Sequence, residues 1–275
     1  MLKDITLGQF FPGNSPLHKL DPRIKILSVI ALIVAIFLAE NLAAFLFLTL
    51  LTILVTAVSR ISLKTVLKGL KAVIFIIAFT SILNLFFTKG AGDPLVQFWI
   101  ITIYPEGIWH ASFMIVRITC LIILTSVVLT YTTSPIDLTD GIERLLSPLK
   151  YMKVPVHEFA MMMTIAMRFI PTLVEETDKI MNAQKARGVD FSSGGLIKRV
   201  KALFPVLIPL FVSAIRRAVE LADAMECRCY RGGSGRTRMK VLHLHLWDIV
   251  YLSLHAVIIA AILLMNHFLP FGYRL

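Results

Sequence analysis

Two arginines flanked by small residues are the side chains whose type and spacing best suit recognition chemistry. One stands in Ala186-Arg187-Gly188 and the other in Cys227-Arg228-Cys229. A planar guanidinium can hold a carboxylate through two parallel hydrogen bonds, and small neighbours let a partner surface approach closely. Each arginine also ends a predicted helix, where the helix dipole favours a cation. A solvated helix-terminal charge is therefore the competing interpretation, and spacing alone leaves both open.

Other reaction chemistry finds no support in the sequence. The segment Gly232-Gly233-Ser234-Gly235-Arg236-Thr237 lacks the lysine and the preceding strand of a phosphate-binding loop. No H-E-x-x-H or G-x-S-x-G motif occurs. Cys227 and Cys229, followed by His243 and His245, could suggest zinc, but the C-x-C spacing is tighter than in common zinc sites. We therefore expect no catalytic residue, metal or cofactor in this chain.

The composition is that of an integral membrane protein. Of the 275 residues, 57% are hydrophobic and 16% are charged, and the mean hydropathy of +0.80 is far above that of soluble domains. The net charge of +11 is unevenly distributed, because 17 of the 28 Lys and Arg residues lie in 132–245. Such clustering is typical of cytoplasmic segments under the positive-inside rule. We expect a lipid bilayer, and no nucleic acid, as a partner.

Five apolar runs approach or reach the length that crosses a bilayer. They cover about 24–39, 42–58, 72–87, 110–131 and 246–269. A basic loop is expected at 60–71, and the Trp- and Pro-containing stretch 95–109 suits an interfacial or re-entrant segment. The distribution of Lys and Arg predicts a cytoplasmic N-terminus and a C-terminus outside the cell.

The sequence thus predicts an all-α integral membrane protein with about five transmembrane helices and a cytoplasmic domain of long amphipathic coupling helices. Its domains are an N-terminal transmembrane domain of four spans (1–131), a cytoplasmic coupling domain (132–242) and a C-terminal transmembrane helix (243–275). In the coupling domain, apolar residues at three- and four-residue steps predict two long helices over about 156–187 and 196–230.

Particular residues mark where helices should start, bend and end. Asp21 and Ser134 should cap the helices that begin at the prolines following them. Pro171 should kink the first long helix. Because no glycine follows Arg228, we expect the second long helix to continue toward Gly232.

One arginine, Arg117, lies inside the predicted fourth span, where an unpaired charge is costly. We expect it to snorkel or to pair within the helix bundle, with Glu106 as the candidate partner. A contact with another membrane subunit, or a place on a substrate path, is the alternative.

Five motifs occur in an order that resembles the transmembrane T component of energy-coupling factor (ECF) transporters. They are Asp21-Pro22-Arg23-Ile24-Lys25, Thr132-Thr133-Ser134-Pro135-Ile136-Asp137, Met167-Arg168-Phe169-Ile170-Pro171, Ala183-Gln184-Lys185-Ala186-Arg187-Gly188 and Ala224-Met225-Glu226-Cys227-Arg228. The resemblance covers most of the chain and implies a multi-pass protein of a bacterial or archaeal cell membrane. The second arginine motif is commonly Ala-Arg-Gly in that family, so Cys-Arg-Cys leaves the geometry of its contact open.

The resemblance also implies partners and contacts. In that family the T component joins two cytoplasmic ATPase subunits to one exchangeable membrane subunit that binds a vitamin or a metal ion. Its two small-Arg-small motifs dock into grooves on the ATPases, a role that falls here on Ala186, Arg187, Gly188, Cys227, Arg228 and Cys229. Arg168, Pro171 and Glu226 would support the coupling helices. The partner ATPases would bind ATP and magnesium, and this chain would be a non-catalytic subunit.

The cargo and two other classes of function stay open at this point. Vitamin uptake is the default and cobalt or nickel uptake the alternative, because the resemblance assigns specificity to the separate binding subunit. A lipid-acting membrane enzyme, with Arg168 and Arg187 on phosphate head groups, would need paired acid–base residues at membrane depth, and none are found. A stand-alone secondary transporter would show repeated halves and broken spans around ionisable residues, and no repeat is visible.

Overall fold

The computed structural model describes most of the chain as helices joined by short turns. It covers residues 10–88, 96–98, 101–191, 195–232, 242 and 244–268, without the side chains of 96–98, 101–103 and 196. The elements are α1 (Pro16–Lys19), α2 (Pro22–Leu38), α3 (Leu42–Ser59), α4 (Leu63–Lys71), α5 (Ile74–Phe87), β1 (Val96–Phe98), β2 (Ile101–Ile103), α6 (Pro105–Thr125), a π-helix (Ser126–Tyr131), α7 (Pro135–Leu145), a 3₁₀ helix (Ser147–Met152), α8 (Val156–Ala186), α9 (Leu196–Cys227) and α10 (Leu246–Phe268). The two strands form one antiparallel hairpin. The predicted all-α class is confirmed.

Within the described part of the chain, the helices form two compact units. Residues up to Gly141, together with α10, form the first unit, and residues from Ile142 to the end of α9 form the second. The division falls inside α7. The predicted outer tail beyond Phe268 lies outside the described residues, as do His243, Gly233 and the stretch 89–95.

The first unit is built around an apolar core shared by α2, α3, α6 and α10. Asp21 Oδ1 accepts the Arg23 N–H at 2.9 Å, and Pro22 occupies the first helical position of α2, which confirms the predicted cap. In the core, the rings of Phe45 and Phe113 stack 4.8 Å apart. The buried core residues are Val29, Leu32, Ala35, Ile36, Ala39, Ala44, Phe45, Leu48, Phe113, Leu124, Val128, Ile258 and Ile262.

Several helices are long and apolar enough to cross a membrane. Among the described residues these are Leu42–Ser59, Pro105–Tyr131, Ile197–Cys227 and Leu246–Phe268, and the bent pair α4–α5 makes a fifth if it counts as one span. Helix α2, with 17 residues, is one residue shorter than α3. This gives four to five candidate spans among the described residues, in agreement with the predicted number of about five. The crossing of the membrane by α2 and the cytoplasmic position of α9 both stay predictions.

Two segments differ from their sequence-based expectation. The predicted basic loop at 60–71 is largely helix α4, whose first turn is capped by Ser62 through the Thr65 N–H at 3.4 Å. The three lysines of α4 lie on one side of this amphipathic helix, and a bend of 60° separates α4 from α5. The stretch 95–109 contains the β hairpin and the first turn of α6, so the helix of the fourth span begins at Pro105 and not near 110. Proline at the first helical position accounts for this earlier start. An interfacial or re-entrant position of this stretch stays a prediction.

At one end of the first unit, buried charged groups tie three helix ends together. Lys25 is 2% exposed, and its Nζ donates to the Thr132 carbonyl at 2.8 Å, just beyond the π-helix. Asp248, in the first turn of α10, accepts the N–H of Asp21 at 3.0 Å and the N–H of His245 at 2.8 Å. Buried charges of this kind are stable only when hydrogen-bonded, so these contacts hold the starts of α2 and α10 in register.

At the other end, the turn between α2 and α3 is held by side chains of α6 and α10. Arg117 Nη2 donates to the Ala39 carbonyl at 2.7 Å, and its guanidinium lies 5.3 Å from the centroid of the Phe45 ring. Asn266 Nδ2 donates to the Leu38 carbonyl at 2.6 Å. Arg117 therefore pairs within the bundle, as expected, but the predicted partner Glu106 is wrong. The partner is a carbonyl at the negative end of the α2 dipole.

The second unit consists mainly of the long helices α8 and α9. Their limits, Val156–Ala186 and Leu196–Cys227, agree with the predicted long helices at both starts and at the first end. Gln184 Nε2 lies 3.4 Å from the Pro205 carbonyl, and Glu176 contacts Arg217, so the two helices run antiparallel. Pro171 lies inside the continuous helix α8. A kink at this residue stays a prediction.

Candidate functional site

Helix α8 ends in a closed turn at Arg187. The N–H of Gly188 donates to the Lys185 carbonyl at 3.0 Å, and the N–H of Val189 donates to the Gln184 carbonyl at 3.0 Å. Gly188 adopts a left-handed conformation with φ +87°. These two hydrogen bonds define a Schellman motif, which satisfies the last carbonyls of a helix and places Arg187 at the C-cap.

Helix α9 ends in the same way at Arg228. The N–H of Cys229 donates to the Glu226 carbonyl at 2.8 Å, and the N–H of Tyr230 donates to the Met225 carbonyl at 3.0 Å. Cys229 takes the left-handed position with φ +56°, which L-residues other than Asn and Asp seldom adopt. The expectation that α9 continues beyond Arg228 was wrong, because a cysteine here closes the helix as glycine does in α8.

The two ends therefore present equivalent surfaces. Arg187 and Arg228 are exposed C-cap residues with backbone angles of φ −83°, ψ 4° and φ −92°, ψ 16°. Their four neighbours are small and exposed as well: Ala186, Gly188, Cys227 and Cys229. Within the described residues neither guanidinium forms a salt bridge. Each end can thus offer a guanidinium to an incoming carboxylate or carbonyl without first breaking an ion pair of its own.

The three predicted supporting residues lie in different relations to these ends. Glu226 is part of the second end, because its carbonyl accepts the Cys229 N–H. Arg168 and Pro171 are exposed on α8, about 28 Å and 24 Å along the helix before Arg187. They do not reach the α8 end, so a supporting role for them there would have to act through the helix itself.

A polar contact between α8 and α9 was missed by the sequence-based reasoning. Glu176 accepts the Ser213 hydroxyl through Oε1 and Arg217 Nη2 through Oε2, the second contact measuring 2.9 Å. We call these three residues the carboxylate clamp. The Ser213 hydrogen bond, helped by the charge of Arg217, lowers the pKa of Glu176 below its ordinary value. The carboxylate is therefore ionised at neutral pH.

Comparison with known proteins agrees with this architecture. A sequence profile described as "CbiQ: Cobalt transport protein" matches residues 13–240, which include both arginine ends and the clamp. The chain belongs to this family. The CbiQ profile thus extends over α1 to α9 and stops before α10 begins.

Relatives within the CbiQ family carry a more specific name. A protein of Clostridium kluyveri is 51% identical over 266 residues, covering 97% of this chain and 98% of its own length. A protein of Ruminiclostridium cellulolyticum is 52% identical, with 97% and 99% covered, and one of Bacillus subtilis is 48% identical, with 88% and 91% covered. All three are named "Energy-coupling factor transporter transmembrane protein EcfT". This CbiQ-family chain is accordingly a transmembrane component of an energy-coupling factor transporter.

The CbiQ-family assignment fits the chemistry that the site can perform. Among the described residues, no group of three or more His, Cys, Asp or Glu side chains comes together. What the second unit does present is a pair of long helices, each ending in an exposed arginine of the same backbone geometry. Such ends can bind and position a partner.

Proposed function

We propose that this chain is the energy-coupling subunit of an ECF-type ABC transporter. It links two cytoplasmic ATPase subunits, which bind ATP and magnesium, to a separate and exchangeable membrane subunit that binds the cargo. The observation that carries this proposal is the equivalence of the two helix ends at Arg187 and Arg228. Two equivalent arginine ends suit two equivalent partners, as a pair of ATPase subunits would be.

The proposed mechanism is mechanical. When the ATPases close on ATP, their grooves move and carry the ends of α8 and α9 with them. Helices of 31 and 32 residues reach roughly 45–50 Å, so they can transmit this displacement to a distant membrane subunit. ATP then biases an equilibrium between two arrangements of the helix pair, because the ATPases hold the arginines differently in each arrangement.

The orientation that we propose has the N-terminus and the coupling helices in the cytoplasm and the C-terminus outside. It is supported by the 17 Lys and Arg residues within 132–245. A protease-cleavable tag at either terminus, tested on intact cells, checks this orientation. Cleavage of the N-terminal tag from outside would contradict it.

The cargo that we propose is a vitamin, on the basis of the resemblance to T components. A specific observation favours a second candidate, cobalt, since the matching family profile is described as a cobalt transport protein. Mass spectrometry of the membrane subunits that co-purify with this chain, followed by uptake of the labelled vitamin or of cobalt, decides between the two.

The decisive experiment is assembly in mild detergent. Purification of the tagged chain should recover two ATPase subunits and one small membrane protein. Arg187→Ala combined with Arg228→Ala should abolish recovery of the ATPases, whereas Arg216→Ala, which removes an exposed arginine from the side of α9, should retain it. Full assembly and full uptake by the double variant would disprove docking at these ends. Transport by the chain alone would disprove the coupling role.

A further inference from the structure

In the carboxylate clamp, a single side chain of α8 accepts hydrogen bonds from residues on two consecutive turns of α9. Ser213 and Arg217 are four residues apart and therefore lie on the same face of α9. Glu176 uses one oxygen for each of them. If α9 moved by one turn along α8, at least one of these contacts would be lost. Within the described residues, the Glu176–Arg217 pair of the clamp is also the only salt bridge between α8 and α9.

The hydrogen bond from Gln184 Nε2 to the Pro205 carbonyl, 3.4 Å long, also joins α8 and α9, but apolar packing adds no strong determinant of register. Only Val206 of α9 is buried, and in α8 only Val156 and Ala160, at the start of the helix, are buried. Most large apolar side chains of α9 are exposed, among them Phe211 at 67%. Since few apolar side chains of this helix pair are fully buried, sliding would cost less hydrophobic free energy than in a closed core. Hydrogen-bonded charged groups can specify register in such helix pairs.

The clamp is placed symmetrically with respect to the two arginine ends. Glu176 lies three turns before Arg187, and Arg217 lies three turns before Arg228, which is about 16 Å of helix in each case. Because α8 and α9 are antiparallel, these two arms extend in opposite directions from the clamp. Equal arms on either side of a fixed point are the geometry of a pivot.

We propose that Glu176, Ser213 and Arg217 form the pivot of the helix pair, which fixes the separation of the Arg187 and Arg228 ends and transmits motion between them. The docking of ATPases at those ends is the proposed function on which the transmission step rests. The fixed separation itself is a property of this chain alone. With the clamp broken, each arginine still binds its partner, but α8 and α9 slide past each other and the displacement is lost.

The first test measures the separation in the full-length chain in lipid nanodiscs, without ATPases. The three native cysteines are changed to serine. Lys185 and Asp223, which are exposed near the two ends, are then changed to cysteine and labelled with nitroxides. Pulsed electron paramagnetic resonance should give a narrow distance distribution. Glu176→Ala and Arg217→Ala should each broaden it, whereas Glu175→Ala, which removes the adjacent exposed carboxylate, should leave it narrow.

Rescue separates a pivot from a general loss of folding. The exchanged pair Glu176→Arg with Arg217→Glu restores opposite charges at the same positions, so the distribution should narrow again. This pair also provides the test if a single variant fails to fold. Narrow distributions in both single alanine variants, or a broad one in a folded exchanged pair, would overturn the proposal.

The second test measures transmission in the assembled transporter. Glu176→Ala should retain co-purifying ATPases but lower the cargo transported per ATP hydrolysed by about 2- to 30-fold. The exchanged pair should recover this ratio. An unchanged ratio in a variant with a broad distance distribution would overturn the transmission step. Failure of the docking proposal appears elsewhere, as full assembly of the Arg187→Ala and Arg228→Ala variants, and leaves the distance measurement unaffected.

Discussion

The ends of α8 and α9 share one backbone geometry but reach it with different residues. Both are closed by the same pair of hydrogen bonds, yet the left-handed position is occupied by Gly188 in one and by Cys229 in the other. Glycine adopts this conformation freely, whereas an L-residue with a Cβ is disfavoured there by about 1–2 kcal/mol. The backbone conformation of the helix end is thus retained even where the residue in the left-handed position disfavours it.

The same comparison shows a chemical asymmetry between the two ends. Cys227 and Cys229 are exposed free thiols beside Arg228, whereas no thiol adjoins Arg187. The remaining cysteine, Cys120, is 4% exposed in α6. The ends can therefore be distinguished by thiol reagents even though their arginines are held alike.

The largest expected effect is the loss of either arginine. Because both are exposed C-cap residues of the same geometry, Arg187→Ala and Arg228→Ala should each weaken ATPase binding by a similar amount, about 2–5 kcal/mol. Titration of the ATPase pair against each variant in nanodiscs measures this. A loss confined to one variant would show that equal backbone geometry does not imply equal contacts.

A smaller effect is expected from modification of the thiols at the α9 end. N-ethylmaleimide should react with Cys227 and Cys229 well before Cys120, and the added bulk should weaken ATPase binding by about 1–3 kcal/mol. Bound ATPases should slow the reaction. The control is Cys227→Ala with Cys229→Gly, which converts this end to Ala-Arg-Gly and should make binding insensitive to the reagent. Unimpaired binding by the modified wild-type chain would place the contact away from these residues.

Features encoded by neighbouring residues could be predicted from the sequence. The cap of α2 at Asp21 and that of α7 at Ser134 depend on side chains that bond to backbone groups two or three residues later. The start of α9 after Gly195 and the end of α8 before Gly188 are equally local. Helix α4 also had a local signal, the cap at Ser62, but its high charge led to the expectation of a loop.

Features that join distant segments could not be predicted in this way. The clamp needs the antiparallel register of α8 and α9, which the spacing within each helix does not specify. The partner of Arg117 is a backbone carbonyl, and every residue has one, so residue types gave no reason to choose Ala39 over Glu106. The end of α9 at Cys229 depends on a conformation that cysteine seldom adopts.

Gly188→Ala tests whether the left-handed conformation of this residue determines the stability of the α8 end. A methyl group at this position meets no atom within 4 Å, so the cost comes from the positive φ alone and should be about 1–2 kcal/mol. Hydrogen exchange of the Val189 amide, which closes the turn, should become correspondingly faster. Gly195→Ala is the matched control, since Gly195 is equally open but has φ −67°. In this control variant the exchange rate of the Val189 amide should change little. Equal effects at both glycines would mean that the left-handed conformation is not what holds this end.

Cys229→Gly should have the smallest effect and the opposite sign. The substitution removes the strain of a left-handed cysteine, but it also adds conformational freedom to the unfolded chain, and the two effects partly cancel. A net gain of about 0.5 kcal/mol should remain, since the strain is about 1–2 kcal/mol and the entropy cost about 0.5–1 kcal/mol. The Tyr230 amide, which closes the α9 end, should exchange about twofold more slowly. Cys229→Ala keeps the Cβ and should leave the rate nearly unchanged, so faster exchange in the alanine variant would show that this cysteine stabilises the end by a contact of its thiol. Faster exchange in the glycine variant alone would show that the entropy cost exceeds the strain.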